Sequence, residues 1–148
     1  MNPADEIKLE LTSDVRELPA IRDQFRAFVR ALGWDEHDMA DIVLAADEAL
    51  TNVIRHGYGS QPGNHIQMYA RRVVDPQRGA GIEIVIHDRA RQVPLEKICG
   101  RDLDDVRPGG LGVHIIRSLM DESAYSHRDG GGMQLVMRKF HATGKGAT

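Results

Sequence analysis

Asp47-Glu48-Ala49-Leu50-Thr51-Asn52-Val53-Ile54-Arg55-His56-Gly57-Tyr58 closes a stretch in which Met39, Ile42, Val43, Ala46, Leu50 and Val53 recur at helical spacing. The spacing predicts a helix that starts near Asp35 and breaks at Gly57. A helix turns once in ~3.6 residues, so Glu48 and Asn52 point to the same side. An acid able to take a proton then sits one turn from an amide oxygen able to ligate a hard cation. That pairing suits chemistry on a metal-bound nucleotide.

The segments on either side supply a sheet and two more helices. Ile7-Lys8-Leu9-Glu10-Leu11 alternates as a half-buried strand. Asp14 and Glu17 form a capping-box-like start for a helix carrying Leu18, Ile21, Phe25, Phe28, Val29 and Leu32, which Gly33 ends. After the turn Pro62-Gly63-Asn64, Ile66, Met68 and Ala70 alternate in a strand reaching about Val74. A hairpin-like loop over 75–81 leads into a strand with Ile82, Ile84 and Ile86, which delivers Asp88 at its end. Residues 89–108 read as a long loop, with one short helix around Leu95 to Ile98. Gly109-Gly110-Leu111-Gly112 opens a third helix with Val113, Ile116, Leu119 and Met120 on its apolar stripe. Ala124–His127 and Met133–Met137 read as strands joined at Asp129-Gly130-Gly131-Gly132. The expected fold is α+β: a two-layer sandwich whose mixed, mostly antiparallel sheet is covered on one face by helices.

Composition bounds the function. Of 148 residues, 41% are hydrophobic and 28% charged, which suits a single domain over 1–148 with one core. The net charge is -3 and the basic residues are scattered, which argues against nucleic-acid binding by counterion release. Cys99 is the only cysteine, so an internal disulfide and a cysteine-built zinc site are both excluded. No apolar run approaches the ~20 residues that span a bilayer, and the first residues lack the regions of a signal peptide. A cytoplasmic protein that engages no membrane is expected. The 7 histidines form no His-x-x-x-His or His-Glu-x-x-His pattern. His56 either helps orient the site or serves the helix end, and His87 and His114 read as surface positions of a strand and a helix.

Two further signals accompany the Glu48/Asn52 pair. Glycines at 109, 110 and 112 let the backbone approach a ligand, and the helix they open offers free N–H groups, which favour phosphate. Neither a Walker A loop nor the dinucleotide fingerprint fits the spacing. Asp88, an acid at the end of an apolar strand, can accept a hydrogen bond from an exocyclic amine such as that of adenine.

Taken together, Glu48-Ala49-Leu50-Thr51-Asn52 with His56-Gly57-Tyr58 resembles the N-box of the GHKL (Bergerat-type) ATPase superfamily, in particular the anti-sigma-factor serine kinases of bacterial partner-switching systems. Asp88 falls where that family places the adenine-binding aspartate of its first glycine box. Gly109-Gly110-Leu111-Gly112 and the helix through Glu122 resemble the second glycine box. The resemblance implies that Asn52 ligates Mg²⁺, that Glu48 is general base on a partner's serine or threonine hydroxyl, and that Asp88 holds the adenine of ATP. It implies a nucleotide lid at about 89–108, from which Arg101 or Arg107 reaches the phosphates. His56, Ala90, Gly109, Gly110, Leu111 and Gly112 complete the implied nucleotide site. It also implies a homodimer that binds a small anti-sigma-factor antagonist and, in another state, a sigma factor.

Two positions depart from that pattern. The first glycine box reads Asp88-Arg89-Ala90-Arg91-Gln92, with Ala90 and Gln92 adding bulk where the family has glycine. At position 90, alanine costs ~1 kcal/mol or somewhat more if positive φ is required. The last hairpin reads Gly132-Met133, without the family's hydroxyl. Two functions therefore stand: an ATP-dependent protein serine/threonine kinase, or a nucleotide-weak binding module of the same fold that regulates by competitive protein binding.

Overall fold

The computed structural model describes residues 3–92, 94, 95 and 110–141. Strands β1 (Glu6–Thr12), β2 (His65–Asp75), β3 (Gly79–Asp88), β4 (Glu122–His127) and β5 (Met133–Phe140) form one sheet. Their order is β1-β2-β3-β5-β4, and the expected mostly antiparallel sheet is antiparallel at every pairing. Tight turns join β2 to β3 and β4 to β5, and such hairpins permit no other direction. Helices α1 (Leu18–Ala31), α2 (Glu36–Asn52) and α3 (Gly110–Leu119) pack on one face.

Alternation decides which face is covered. Leu9, Leu11, Ile66, Met68, Ala70, Ile82, Ile84, Ile86, Leu135 and Met137 are buried on the helical side. They meet Ile21, Phe25 and Val29 of α1, Ile42, Ala46 and Leu50 of α2, and Ile116 of α3 in one core. Each of the larger side chains contributes about 1.5–3 kcal/mol on burial, which is what holds α2 against the sheet. An Arg22–Asp47 ion pair at 3.0 Å joins α1 to α2 beside Glu48.

The other face is polar and ordered by charge. Glu6, Arg71, Glu83, Arg138 and Glu122 face one another in register across all five strands. Glu83, only 7% exposed, accepts from Arg71 Nε at 2.9 Å and from Arg138 Nε at 2.8 Å. Arg138 also reaches Glu122 at 2.8 Å, and Arg78 reaches the same carboxylate at 2.6 Å.

Local chemistry sets the helix ends. Asp35 caps α2 by accepting from Asp38 N–H at 2.7 Å. The capping box expected at Asp14 and Glu17 takes a different form, because a 3₁₀ turn (Val15–Glu17) intervenes before α1. Asp14 caps that turn through Arg16 N–H at 2.9 Å, while Glu17 reaches back to the N–H and hydroxyl of Thr12. The motif helix ends in a π-helical turn, Val53–Gly57, closed by Tyr58 N–H on the Val53 carbonyl at 2.8 Å. Such turns are frequent at functional sites. Among the described residues, no helix is long and apolar enough to cross a membrane.

Candidate functional site

The C-terminal end of α2 presents Glu48 and Asn52, both half-buried. Among the described residues the Glu48 carboxylate accepts no hydrogen bond. Asn52 Nδ2 is fully buried and likewise makes none. A buried amide atom without a partner is costly, so its persistence marks a position shaped for something other than packing. Carboxylate and carboxamide oxygens one turn apart are hard donors that fit Mg²⁺. His56 lies exposed on the π-turn that follows.

Asp88 ends β3, 5% exposed. Its Oδ1 accepts from Ala90 N–H at 2.8 Å and from Met133 N–H at 3.0 Å. Its other oxygen is bonded by none of the described residues. Burial pushes the Asp88 carboxyl above its usual range, against the opposing pull of those two N–H groups and of the Arg128 and His87 charges. At Met133, where the resemblance leads one to expect a hydroxyl, it is the backbone N–H that reaches Asp88.

The turn after Asp88 is tied down on several sides. Arg128 Nη1 donates to the Asp88 carbonyl at 2.7 Å. Tyr58 donates its hydroxyl to the His65 carbonyl at 2.8 Å and accepts from Arg89 N–H at 2.6 Å. Gly132 has φ +90°, and a Cβ there would stand 2.1 Å from the Asp88 carbonyl oxygen, so only glycine fits. Ala90 does not have positive φ, so the strain expected of a non-glycine residue there is absent. Its methyl is buried toward Gly57, where an added Cβ would lie 3.2 Å away. Gln92 is exposed, and its Nε2 donates to the carbonyls of Arg128 at 2.8 Å and Gly132 at 3.0 Å.

Tyr125 connects the two halves. It points to the helical side of β4 and packs on the core. Burial pushes its phenol up to about 12, the Asp88 carboxylate adds to the rise, and the adjoining Asn52 amide and Arg117 oppose it. Its hydroxyl therefore lies close enough to the Asn52 amide to bear on its ionisation, without a well-formed bond to Nδ2. Sequence reasoning gave no role to Tyr58, Tyr125 or Arg128. The available signals were the tyrosine closing the motif and an aromatic at an inward strand position.

Gly110, Leu111 and Gly112 form the first turn of α3, as expected. Gly109, Arg101, Arg107 and Cys99 lie outside the described residues, as does the lid from 96 onward and with it most of the helix expected over 95–98. His114 departs from its surface assignment: it is half-buried, and its Nε2 is buried without a partner among the described residues. His87 sits on the open sheet face, bonded to Gln134 at 2.8 Å. A cluster of His37, Asp38 and Asp41 lies at the far end of α2, where Asp38 serves the helix start.

A family model described as a histidine kinase-like ATPase domain matches residues 11–139. Serine-protein kinase RsbW of Oceanobacillus iheyensis is 25% identical over 150 residues, which span 96% of this chain and 90% of that protein. Serine-protein kinase RsbW of Halalkalibacterium halodurans is 29% identical over 119 residues, 74% of this chain and 67% of its relative. The crystal structure of the RsbU and RsbW domains of Rv1364c from Mycobacterium tuberculosis superposes with a TM-score of 0.64 at 21% identity. That alignment covers 91% of this chain and 31% of the other, and it establishes a shared fold.

Proposed function

Because this chain belongs to the histidine kinase-like ATPase domain family, we propose that it is an ATP-dependent protein serine/threonine kinase and anti-sigma factor. It binds and phosphorylates a small antagonist protein, and it holds a sigma factor when that antagonist is absent or modified. It works as a homodimer in the bacterial cytoplasm. The observation that carries this reading is the Glu48/Asn52 pair: two half-buried polar groups one turn apart, with the Asn52 amide nitrogen buried and unbonded.

Each residue has a task under this reading. Asp88 receives the exocyclic amine of adenine on the carboxylate oxygen that the fold leaves unused. Asn52 holds Mg²⁺ through its amide oxygen. When bound, the ion draws charge from the phosphate oxygens. Backbone N–H groups at the start of α3, opened by Gly110 and Gly112, meet the phosphates. Glu48 takes the proton from the attacking hydroxyl of the partner's serine or threonine. Phosphoryl transfer depends mainly on positioning and charge neutralisation, so a single base, one ion and a helix end suffice. The ordinary φ at Ala90 and the tying of Gln92 to the Arg128 and Gly132 carbonyls support a usable base pocket over a nucleotide-weak one.

Incubation with Mg·ATP and an antagonist protein tests the proposal. The wild type transfers phosphate to serine or threonine. Glu48→Ala transfers it ~10²- to 10⁴-fold more slowly with nucleotide affinity kept, the range expected for loss of a general base. Equal rates in the two proteins would refute the role of Glu48. A wild type that binds no nucleotide would replace the kinase with a competitive binding module.

A further inference from the structure

We infer that Gln92 is a positioning residue for purine recognition, bracing Asp88 through the β4–β5 turn. The inference rests on the reading of Asp88 as the adenine acceptor. Gln92 is exposed, yet both N–H groups of its amide are used, one on the Arg128 carbonyl at 2.8 Å and one on the Gly132 carbonyl at 3.0 Å. Two carbonyl acceptors can only face the nitrogen of an amide, so its orientation is determined.

Those two carbonyls belong to the turn that holds Asp88. Arg128 N–H closes the turn on the Gly132 carbonyl at 3.0 Å, and Gly131 N–H reaches the Arg128 carbonyl at 3.3 Å. From the same turn, the Arg128 guanidinium holds the Asp88 carbonyl at 2.7 Å, and Met133 N–H holds Asp88 Oδ1 at 3.0 Å. Residues 88–92 and 128–133 are therefore stitched into a closed circuit, with Asp88 at one end and Gln92 at the other. Glycine at position 92 would leave the two carbonyls without that donor and the circuit open. A side chain that the family pattern lacks thus supplies the rigidity that aims the free oxygen of Asp88.

The test compares ADP with inosine diphosphate, which lacks the exocyclic amine, in wild type, Gln92→Gly, Gln92→Glu and Gln92→Lys. A hydrogen bond to a charged group is worth roughly tenfold or more in affinity, so the wild type prefers ADP by at least about tenfold. In Gln92→Gly and Gln92→Glu the preference falls to about threefold or less. Gln92→Lys, which keeps a donor for the carbonyls, restores most of it. In the nucleotide-free protein, Met133 and Ala90 amides exchange faster in the glycine and glutamate variants than in wild type. A general loss of folding would weaken both nucleotides alike and leave their ratio unchanged. A ratio kept intact in Gln92→Gly, or unchanged amide exchange, overturns the inference alone. A wild type that shows no preference for ADP overturns the role of Asp88 and the inference with it.

Discussion

Gly132→Ala strikes the junction on which the base pocket hangs. The backbone there has φ +90°, and the new methyl would stand 2.1 Å from the Asp88 carbonyl oxygen and 2.9 Å from Arg89 Cα. Neither obstacle is the flexible end of a side chain, so strand or turn must move. A left-handed conformation costs a non-glycine residue roughly 1–2 kcal/mol, and forcing extra volume into packed backbone costs about 1–3 kcal/mol more. The sum is about 3 kcal/mol, a large share of the ~5–15 kcal/mol that holds a domain together. For a domain of this size it corresponds to a fall in Tm of roughly 10 °C. Gly130→Ala is the internal control: its φ is +82°, but nothing lies within 4 Å of the added Cβ. That variant carries the backbone cost alone, roughly 1–2 kcal/mol. Urea unfolding at matched slopes reads both. The expected gap between them is about 2 kcal/mol, with nucleotide affinity lowered only in Gly132→Ala. Equal losses in the two variants would show that the clash with Asp88 is not real.

Asp88→Asn should lose the preference for adenine yet gain stability at neutral pH. Burial raises the folded-state pKa, so the contribution of Asp88 is greatest below the usual carboxylate range and is lost as pH rises through the raised value. The Tm difference in favour of Asp88→Asn should therefore widen from about pH 4 to about pH 7, and a constant difference would contradict it. Glu83 has the opposite sign. Burial works to raise it, but Arg71 and Arg138 outweigh that and hold the carboxyl below its usual range. Its contribution is present above the unfolded pKa and disappears as pH falls through the lowered folded value, so Glu83→Gln should flatten the acid limb of a Tm–pH profile. Tyr58→Phe leaves Arg89 N–H and the His65 carbonyl without their shared partner, a loss of about 1–3 kcal/mol in urea unfolding. Faster exchange of the Arg89 amide should accompany it, and an unchanged rate would contradict the staple.

Much of this was readable from local pattern. Ile82, Ile84 and Ile86 alternate because one face of β3 is covered by helices, and the burial follows that alternation. Glu48 and Asn52 share a side because helical phase is set within a few residues. What escaped the sequence depends on distant pairing. Gln92 meets carbonyls 36 and 40 positions away, and Tyr58 meets an amide 31 positions away. Those meetings follow from the register of β3, β5 and β4, which spacing along the chain does not encode. The same holds for Ala90: its N–H is tied to Asp88 and its φ is not positive, so the residue type alone suggests strain that the fold does not impose. His114 looked like a surface histidine because a helical stripe does not reveal how closely a neighbouring helix approaches.

The row of alternating charges on the open sheet face bears on how the sheet assembles. Strand β5 must settle beside β3 although α3 and β4 lie between them in sequence, and such long-range pairings are slow and prone to misalignment. A slip of two residues would keep the apolar side chains on the core face, so hydrophobic burial by itself would barely detect it. The slip would set the Glu83 carboxylate against Val136 or Phe140 instead of Arg138. Glu122 would keep Arg138 across the β4–β5 hairpin, so the loss would fall on the buried Glu83. This alignment alone gives Glu83 both of its guanidinium partners, so these ion pairs act as a checksum on the alignment that brings Met133 to Asp88.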